Sequence, residues 1–142
     1  AMKGFIAVYA YLGQSGLEKH LIDLVFLRVS QINGCAYCID MHSQDMHKHG
    51  VPFEKLILTG AWREAGEVFS KREQAALAWA ESVALVADTG VPDADYAAAA
   101  AEFNDKELTD LSVAIALMSA FNRMGVAFRN KPVTASRLAR AA

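Results

Sequence analysis

The sequence predicts an all-α fold, and three observations carry that prediction. Alanine, the best helix former, is abundant. No stretch sustains the Val/Ile/Thr-rich alternation of a strand. Helix starts and stops recur along the chain. Ser15-Gly16-Leu17-Glu18 and Ser70-Lys71-Arg72-Glu73 match the capping-box pattern, and Asn104 with Glu107 is a weaker version of it. Pro52 and Pro92 sit where a first helical turn tolerates proline. Gly34, Gly50 and Gly90 follow periodic stretches, as helix stops do.

About six helices, with one short alanine-rich stretch besides, follow from these signals. The first covers roughly 3–12 and the second roughly 17–32, after the Ser15 start. The third, roughly 35–48, opens just past Gly34 and carries both cysteines. The fourth, roughly 52–65, starts at Pro52 and is broken near Gly60. The fifth runs over roughly 71–88, behind the Ser70 cap. The stretch at roughly 93–103 makes a short alanine-rich helix, and a long apolar helix fills roughly 105–128. Linkers are short, so neighbouring helices should pack antiparallel. The tail from Lys131 to Ala142 reads as an exposed or partner-docked end.

The 142 residues have room for one domain, 1–142, with a real core. A hydrophobic share of 54%, a charged share of 21% and three prolines argue against disorder, collagen-like repeats and a disulfide scaffold. Lys+Arg 14 against Asp+Glu 16 leaves no basic excess for nucleic acid. No apolar run is long enough for a membrane span. Lys3 followed by Gly4 to Leu12 faintly resembles a short signal peptide, but no small-x-small cleavage site follows, which places the protein in the cytosol.

Two further features concern packing. Leu108, Leu111, Val113, Ala114, Ile115, Ala116, Leu117, Met118 and Phe121 cover most of the circumference of the last long helix. Such a helix is buried at a domain centre or in a subunit interface, and in a domain of this size we expect oligomerisation to supply part of the burial. Arg28 lies in the middle of a face formed by Leu17, Leu21, Leu24, Val25 and Ile32, so it should form a buried or interfacial ion pair with an acid elsewhere.

The two cysteines, Cys35 and Cys38, make up the whole cysteine content. On a helix, Cys35, Cys38 and His42 fall within a sector of roughly 60°. The cysteine Cα atoms would lie about 5 Å apart, inside the window for a disulfide. A first-turn position favours a thiolate through the helix dipole and free N–H groups. His42, one turn beyond Cys38, can take the thiol proton or stabilise the anion. An ionisable thiol, a second thiol to resolve it and an acid/base are the parts needed to reduce a peroxide. Two other readings of the same residues stay open. The pair can be two small core residues. It can also belong to a zinc site, but His49 stands roughly 10 Å beyond His42 along the axis, so such a site needs ligands from another helix or subunit. His20, His47 and His49 read as solvent-exposed.

The stretch Leu27-Arg28-Val29-Ser30-Gln31-Ile32-Asn33-Gly34-Cys35-Ala36-Tyr37-Cys38-Ile39-Asp40-Met41-His42 closely resembles the core motif of the AhpD-like alkylhydroperoxidases, within the carboxymuconolactone decarboxylase family. Ala61-Trp62-Arg63-Glu64, Arg72 to Glu81 and Phe121-Asn122-Arg123 support the resemblance. It implies an all-α, AhpD-like bundle assembled as a trimer or hexamer. It implies a hydroperoxide substrate, an external dithiol or lipoyl-type reductant, and no metal or other cofactor. It makes Cys38 the attacking thiol, Cys35 the resolving one, His42 the relay histidine and Asp23 the relay acid. The helix dipole favours Cys35 as the nucleophile; nearness to His42 and the resemblance favour Cys38, which we take. Two positions depart from the family pattern: Asp23 is one methylene shorter than the family's glutamate, and Tyr37 stands where the best-studied branch has histidine. On a helical wheel Asp23 falls on a polar side with Lys19 and Ser30. The family's other reaction, lactone decarboxylation, does not rely on a redox pair; a non-catalytic redox-responsive helical oligomer is the third possibility.

Overall fold

The computed structural model describes residues 1–141. Its elements are α1 (Met2–Leu12), α2 (Lys19–Ile32), α3 (Ala36–Lys48), α4 (Phe53–Leu58), two 3-10 turns (Thr59–Glu64 and Gly66–Val68), α5 (Lys71–Ala84), α6 (Val86–Thr89), α7 (Asp93–Ala100), α8 (Asp105–Ala127) and α9 (Val133–Ala141). Among the described residues there is no strand, so the all-α expectation holds. No helix among them is long and apolar enough to cross a membrane.

α2 is the hub: it packs on α3, α5 and α8. One core lies between α2, α5 and α8, around Val25, Phe26, Ala80, Leu111 and Ile115. A second lies under α3 and α4, around Leu24, Leu27, Met46, Leu56 and Phe69. Phe26, Leu27 and Leu111 are almost wholly buried, each contributing about 1.5–3 kcal/mol relative to exposure. α8 is thus the central helix of a single chain. Leu108, Leu111, Ala114, Ile115, Leu117 and Met118 are buried within it, so its apolar girth does not by itself require a partner.

Several starts and stops fall where the sequence puts them. Ser70–Glu73 and Asn104–Glu107 form complete capping boxes. Pro52 and Pro92 are N-caps. Gly34, Gly50 and Gly90 end helices with positive φ. The break near Gly60 is real: α4 gives way to a 3-10 turn interrupted at Ala61. Three expectations need correction. Ser15 does not cap α2, which begins after Glu18 without a side-chain cap. Its hydroxyl donates to the Leu12 carbonyl at the end of α1 and accepts from the Leu17 amide. The helix expected over 71–88 divides at Leu85, where Thr89 Oγ1 donates to the Ser82 carbonyl and φ/ψ leave the helical range. Ser30 is fully buried, not on a polar side, with its hydroxyl spent on the Phe26 carbonyl.

The tail is mostly exposed among the described residues, as expected, but it is also helical. Val133–Ala141 form a helix, the short piece that brings the α-helix count to nine among the described residues, and Ala142 lies outside them. The Asp40 carboxylate of α3 accepts the Thr134 amide at 3.0 Å and the Thr134 hydroxyl, and Gln44 Nε2 donates to Thr134 Oγ1 at 3.0 Å. A carboxylate at a helix's first turn satisfies a free N–H and opposes the dipole, so α3 caps α9.

Arg28 finds its acid on α5. Its Nη2 lies 2.7 Å from Glu81 Oε1, which also accepts Trp62 Nε1 at 2.9 Å; Arg63 reaches the other oxygen. This junction fixes α2 against α5 and the 3-10 turn.

Candidate active site

Gly34, at φ +65°, turns the chain out of α2, and the Cys35 amide donates back to the Ser30 carbonyl at 3.0 Å. Cys35 is therefore the N-cap of α3 rather than part of its first turn; its backbone is extended, and Cys38 sits three residues on. The Cys35 sulfur accepts the Cys38 amide at 3.4 Å, which is a hydrogen bond within the range of sulfur. The two cysteines form a disulfide, with Cα atoms 5.3 Å apart. Cys35, Cys38 and His42 are all buried; Cys35 is bonded to Cys38, and Cys38 and His42 line one cavity.

A polar network holds the rear of this loop. Asn122 of α8 is fully buried; its Nδ2 donates to Ser30 Oγ at 3.0 Å, and its Oδ1 accepts Asn33 Nδ2 at 3.1 Å. The residues before Cys35 are thereby tied to α8.

In front of Cys38 lies a cavity of 350 Å³. α3 contributes Cys38, Met41, His42 and Asp45; α1 contributes Met2, Ile6 and Tyr9; α8 contributes Met118, Phe121 and Met124. Of the two cysteines, Cys38 lines this space, with Tyr37 beside it. The walls are mostly apolar, so a charge or hydrogen bond inside acts in a medium of low dielectric. A larger hollow of 520 Å³ lies between α5, α7 and α8. Its lining offers hydroxyls, apolar groups and one carboxylate, Asp105, so chemistry rather than size selects the site.

His42 is 5% exposed, and among the described residues its Nε2 is the one buried side-chain nitrogen or oxygen without a hydrogen-bond partner. Its ring lies 5.4 Å from that of Phe26, which in turn stacks on Tyr9 at 5.9 Å. Burial lowers the His42 pKa below its usual value, while the charges of Asp23 and Asp45 pull the other way and Lys19 adds to the lowering. Burial thus favours the neutral imidazole, whose Nε2 is sealed from solvent without a partner. Asp23 acts on it through its charge, but the Asp23 carboxylate takes its hydrogen bond from Lys19 Nζ at 2.5 Å, one turn away on α2. His20, His47 and His49 are exposed, as expected.

The sequence reading did not single out Gly125. On α8 it is the residue that faces both sulfurs: a Cβ there would stand 3.0 Å from Cys35 Sγ. The signal available was a glycine near the end of an apolar helix, costing about 1 kcal/mol relative to alanine. The cavity walls supplied by α1 and α8 were also missed, because they lie far from the motif in sequence.

The site is thus a buried Cys-x-x-Cys disulfide at a helix start, with a histidine one turn on, in an all-helical bundle. The chain belongs to the carboxymuconolactone decarboxylase family, whose profile matches residues 1–82, and within it to the AhpD-like group. It is 33% identical over 130 residues to the uncharacterized protein YdfG of Bacillus subtilis, covering 92% of this chain and 88% of that one. The solved structure of a protein of unknown function from Agrobacterium tumefaciens, described as a candidate antioxidant defence protein AhpD, superposes with a TM-score of 0.89 at 37% identity, covering 92% and 89% of the two chains. The alkyl hydroperoxide reductase AhpD of Hyphomonas neptunium is 44% identical over 45 residues, 32% of this chain and 25% of that protein.

Proposed function

We propose that the protein is a thiol-dependent hydroperoxidase whose Cys35–Cys38 pair cycles between dithiol and disulfide. The observation that carries this reading is the unpartnered, buried Nε2 of His42, a residue that lines the same cavity as Cys38. Neutral His42 takes the Cys38 thiol proton, and the free N–H groups of the α3 start favour the thiolate. The sulfur attacks the terminal oxygen of the hydroperoxide; the O–O bond breaks, Cys38 becomes a sulfenic acid, and the proton held by His42 goes to the departing alkoxide, released as an alcohol. Cys35 then displaces the sulfenic oxygen as water, leaving the disulfide. An external dithiol, of lipoyl type in the reading by resemblance, reduces it through a mixed disulfide. Asp23 supports the histidine by charge, with Lys19 competing for its carboxylate. The same reading makes the chain a single catalytic domain acting in the cytosol as a trimer or hexamer.

The test is peroxide consumption with a dithiol donor for the wild type, Cys35→Ser and Cys38→Ser. The expected result is loss of turnover in both variants, with a sulfenic acid trapped on Cys38 in Cys35→Ser. Turnover that survives both substitutions refutes the mechanism. A sulfenic acid trapped only in Cys38→Ser reverses the roles of the two cysteines.

A further inference from the structure

Gly125 is buried near the C-terminal end of α8, and its φ is outside the left-handed region, so the backbone itself does not call for glycine. Alanine would be the better helix former at this point. What alanine would bring is a methyl carbon 3.0 Å from Cys35 Sγ and 3.6 Å from Cys38 Sγ. The shorter distance is well inside the roughly 3.5–4.0 Å at which carbon-sized atoms attract. The Cys35 sulfur has little freedom to retreat. It is bonded to Cys38 and accepts the Cys38 amide, and the Cys35 backbone is tied to the Ser30 carbonyl. Behind Ser30, Asn122 ties the loop to the same helix that carries Gly125.

We propose that Gly125 is a positioning residue of the thiol–disulfide cycle: its bare Cα leaves the space against α8 that the Cys35 sulfur fills when it closes on Cys38. The proposal rests on the reading of the pair as redox-active. In the closing step the Cys35 thiol and the Cys38 sulfenic acid give the disulfide and one water; the S–O bond breaks, the S–S bond forms, and the thiol proton leaves with the oxygen. In the dithiol the Cys35 side chain is released from its partner and rotates about χ1 between staggered positions. A methyl at position 125 therefore burdens the disulfide more than the dithiol, and it slows closure more than it slows attack on peroxide.

The experiment equilibrates the full chain, wild type and Gly125→Ala, against reduced and oxidised dithiothreitol and reads the disulfide fraction by thiol alkylation and mass. The expected result is a disulfide equilibrium constant at least about tenfold lower in Gly125→Ala, a midpoint about 30 mV less negative. After a peroxide pulse, a dimedone-reactive Cys38 should outlast that of the wild type. The reduced variant should melt no lower than the reduced wild type. An unchanged midpoint, or equal destabilisation of the oxidised and reduced forms, overturns the proposal and leaves Gly125 a packing residue. If Gly125→Ala does not fold, Gly125→Ala combined with Cys35→Ala should, because the sulfur that meets the methyl is gone; failure of the double variant also overturns it. The midpoint is read without peroxide. A shifted midpoint in a chain that consumes no peroxide refutes the hydroperoxidase reading and supports this one, and turnover without a shift does the reverse.

Discussion

Substituting Glu81 by leucine removes one carboxylate on which three side chains converge. Oε1 accepts Arg28 Nε at 2.8 Å and Trp62 Nε1 at 2.9 Å, and Oε2 accepts Arg63. The Arg28 and Glu81 side chains are 18% and 13% exposed, so the Arg28 charge is left with little water. Breaking a buried pair from one side costs about 3–5 kcal/mol. Residual solvent and the 3.4 Å contact of Arg28 Nη1 with Gln31 Oε1 reduce that figure. Arg63, on the exposed side, adds no more than about 1 kcal/mol. We expect a net loss of about 2–4 kcal/mol, a fall of roughly 6–15 °C in melting temperature for a chain of this length. Urea unfolding at constant m-value measures it. Arg28→Met strands Glu81 in turn, whereas Arg28→Met with Glu81→Leu removes both charges and should recover at least about 1.5 kcal/mol of the summed losses. A double variant whose loss equals the sum of the singles, or a Glu81→Leu loss below about 1 kcal/mol, refutes the reasoning. The pH dependence has a fixed sign. Burial alone would raise the Glu81 carboxyl, but hydrogen bonds from Arg63, Trp62 and Arg28 outweigh it and hold the group below its ordinary 4.5. This contribution is present above the unfolded value and is lost as pH falls through the folded one, so Glu81→Gln should flatten part of the acid limb.

Three other outcomes follow. His42 has its pKa lowered chiefly by burial, so the unfolded chain binds the proton more readily; stability should fall as pH drops below the ordinary 6.5, by at most about 1.4 kcal/mol per unit. His42→Phe should remove that slope in melts between pH 7.5 and 5.5. Asp23→Glu restores the longer acid and should raise peroxide turnover several-fold, and Lys19→Met, by releasing the carboxylate, should act in the same direction; lower turnover in both would exclude Asp23 from the relay. Asp40→Ala should free α9 without unfolding the bundle, read as faster amide exchange confined to α9. Because hydrogen bonds from Thr134 and Gln44 overcome burial and hold the Asp40 carboxyl low, acid should loosen α9 in the wild type too.

The sequence made legible what depends on local spacing. Cys35, Cys38 and His42 share a face because three and four residues make a helical turn, and Ser70 and Asn104 cap because their partners stand three residues on. Arg28 was readable as half of a pair because a guanidinium on an apolar face needs an acid; nothing local pointed to Glu81, 53 residues away. Ser15 misled because a serine between two helices serves either the end of one or the start of the next, and here it serves α1. Ser30 misled because a wheel counts a hydroxyl as polar, whereas this one is satisfied by its own helix and by Asn122. Gly125 and the α9 contact are tertiary events. One is defined by a sulfur 90 residues earlier, the other by a carboxylate 94 residues earlier, and neither leaves a periodic trace.

The cap that starts α3 has a spectroscopic consequence. The amide proton of Cys38 points at the Cys35 sulfur, so one backbone N–H bonds to an atom whose electron density differs between disulfide and dithiol. In ¹⁵N-enriched protein, its ¹H and ¹⁵N resonances should report the oxidation state of the pair from a single backbone amide.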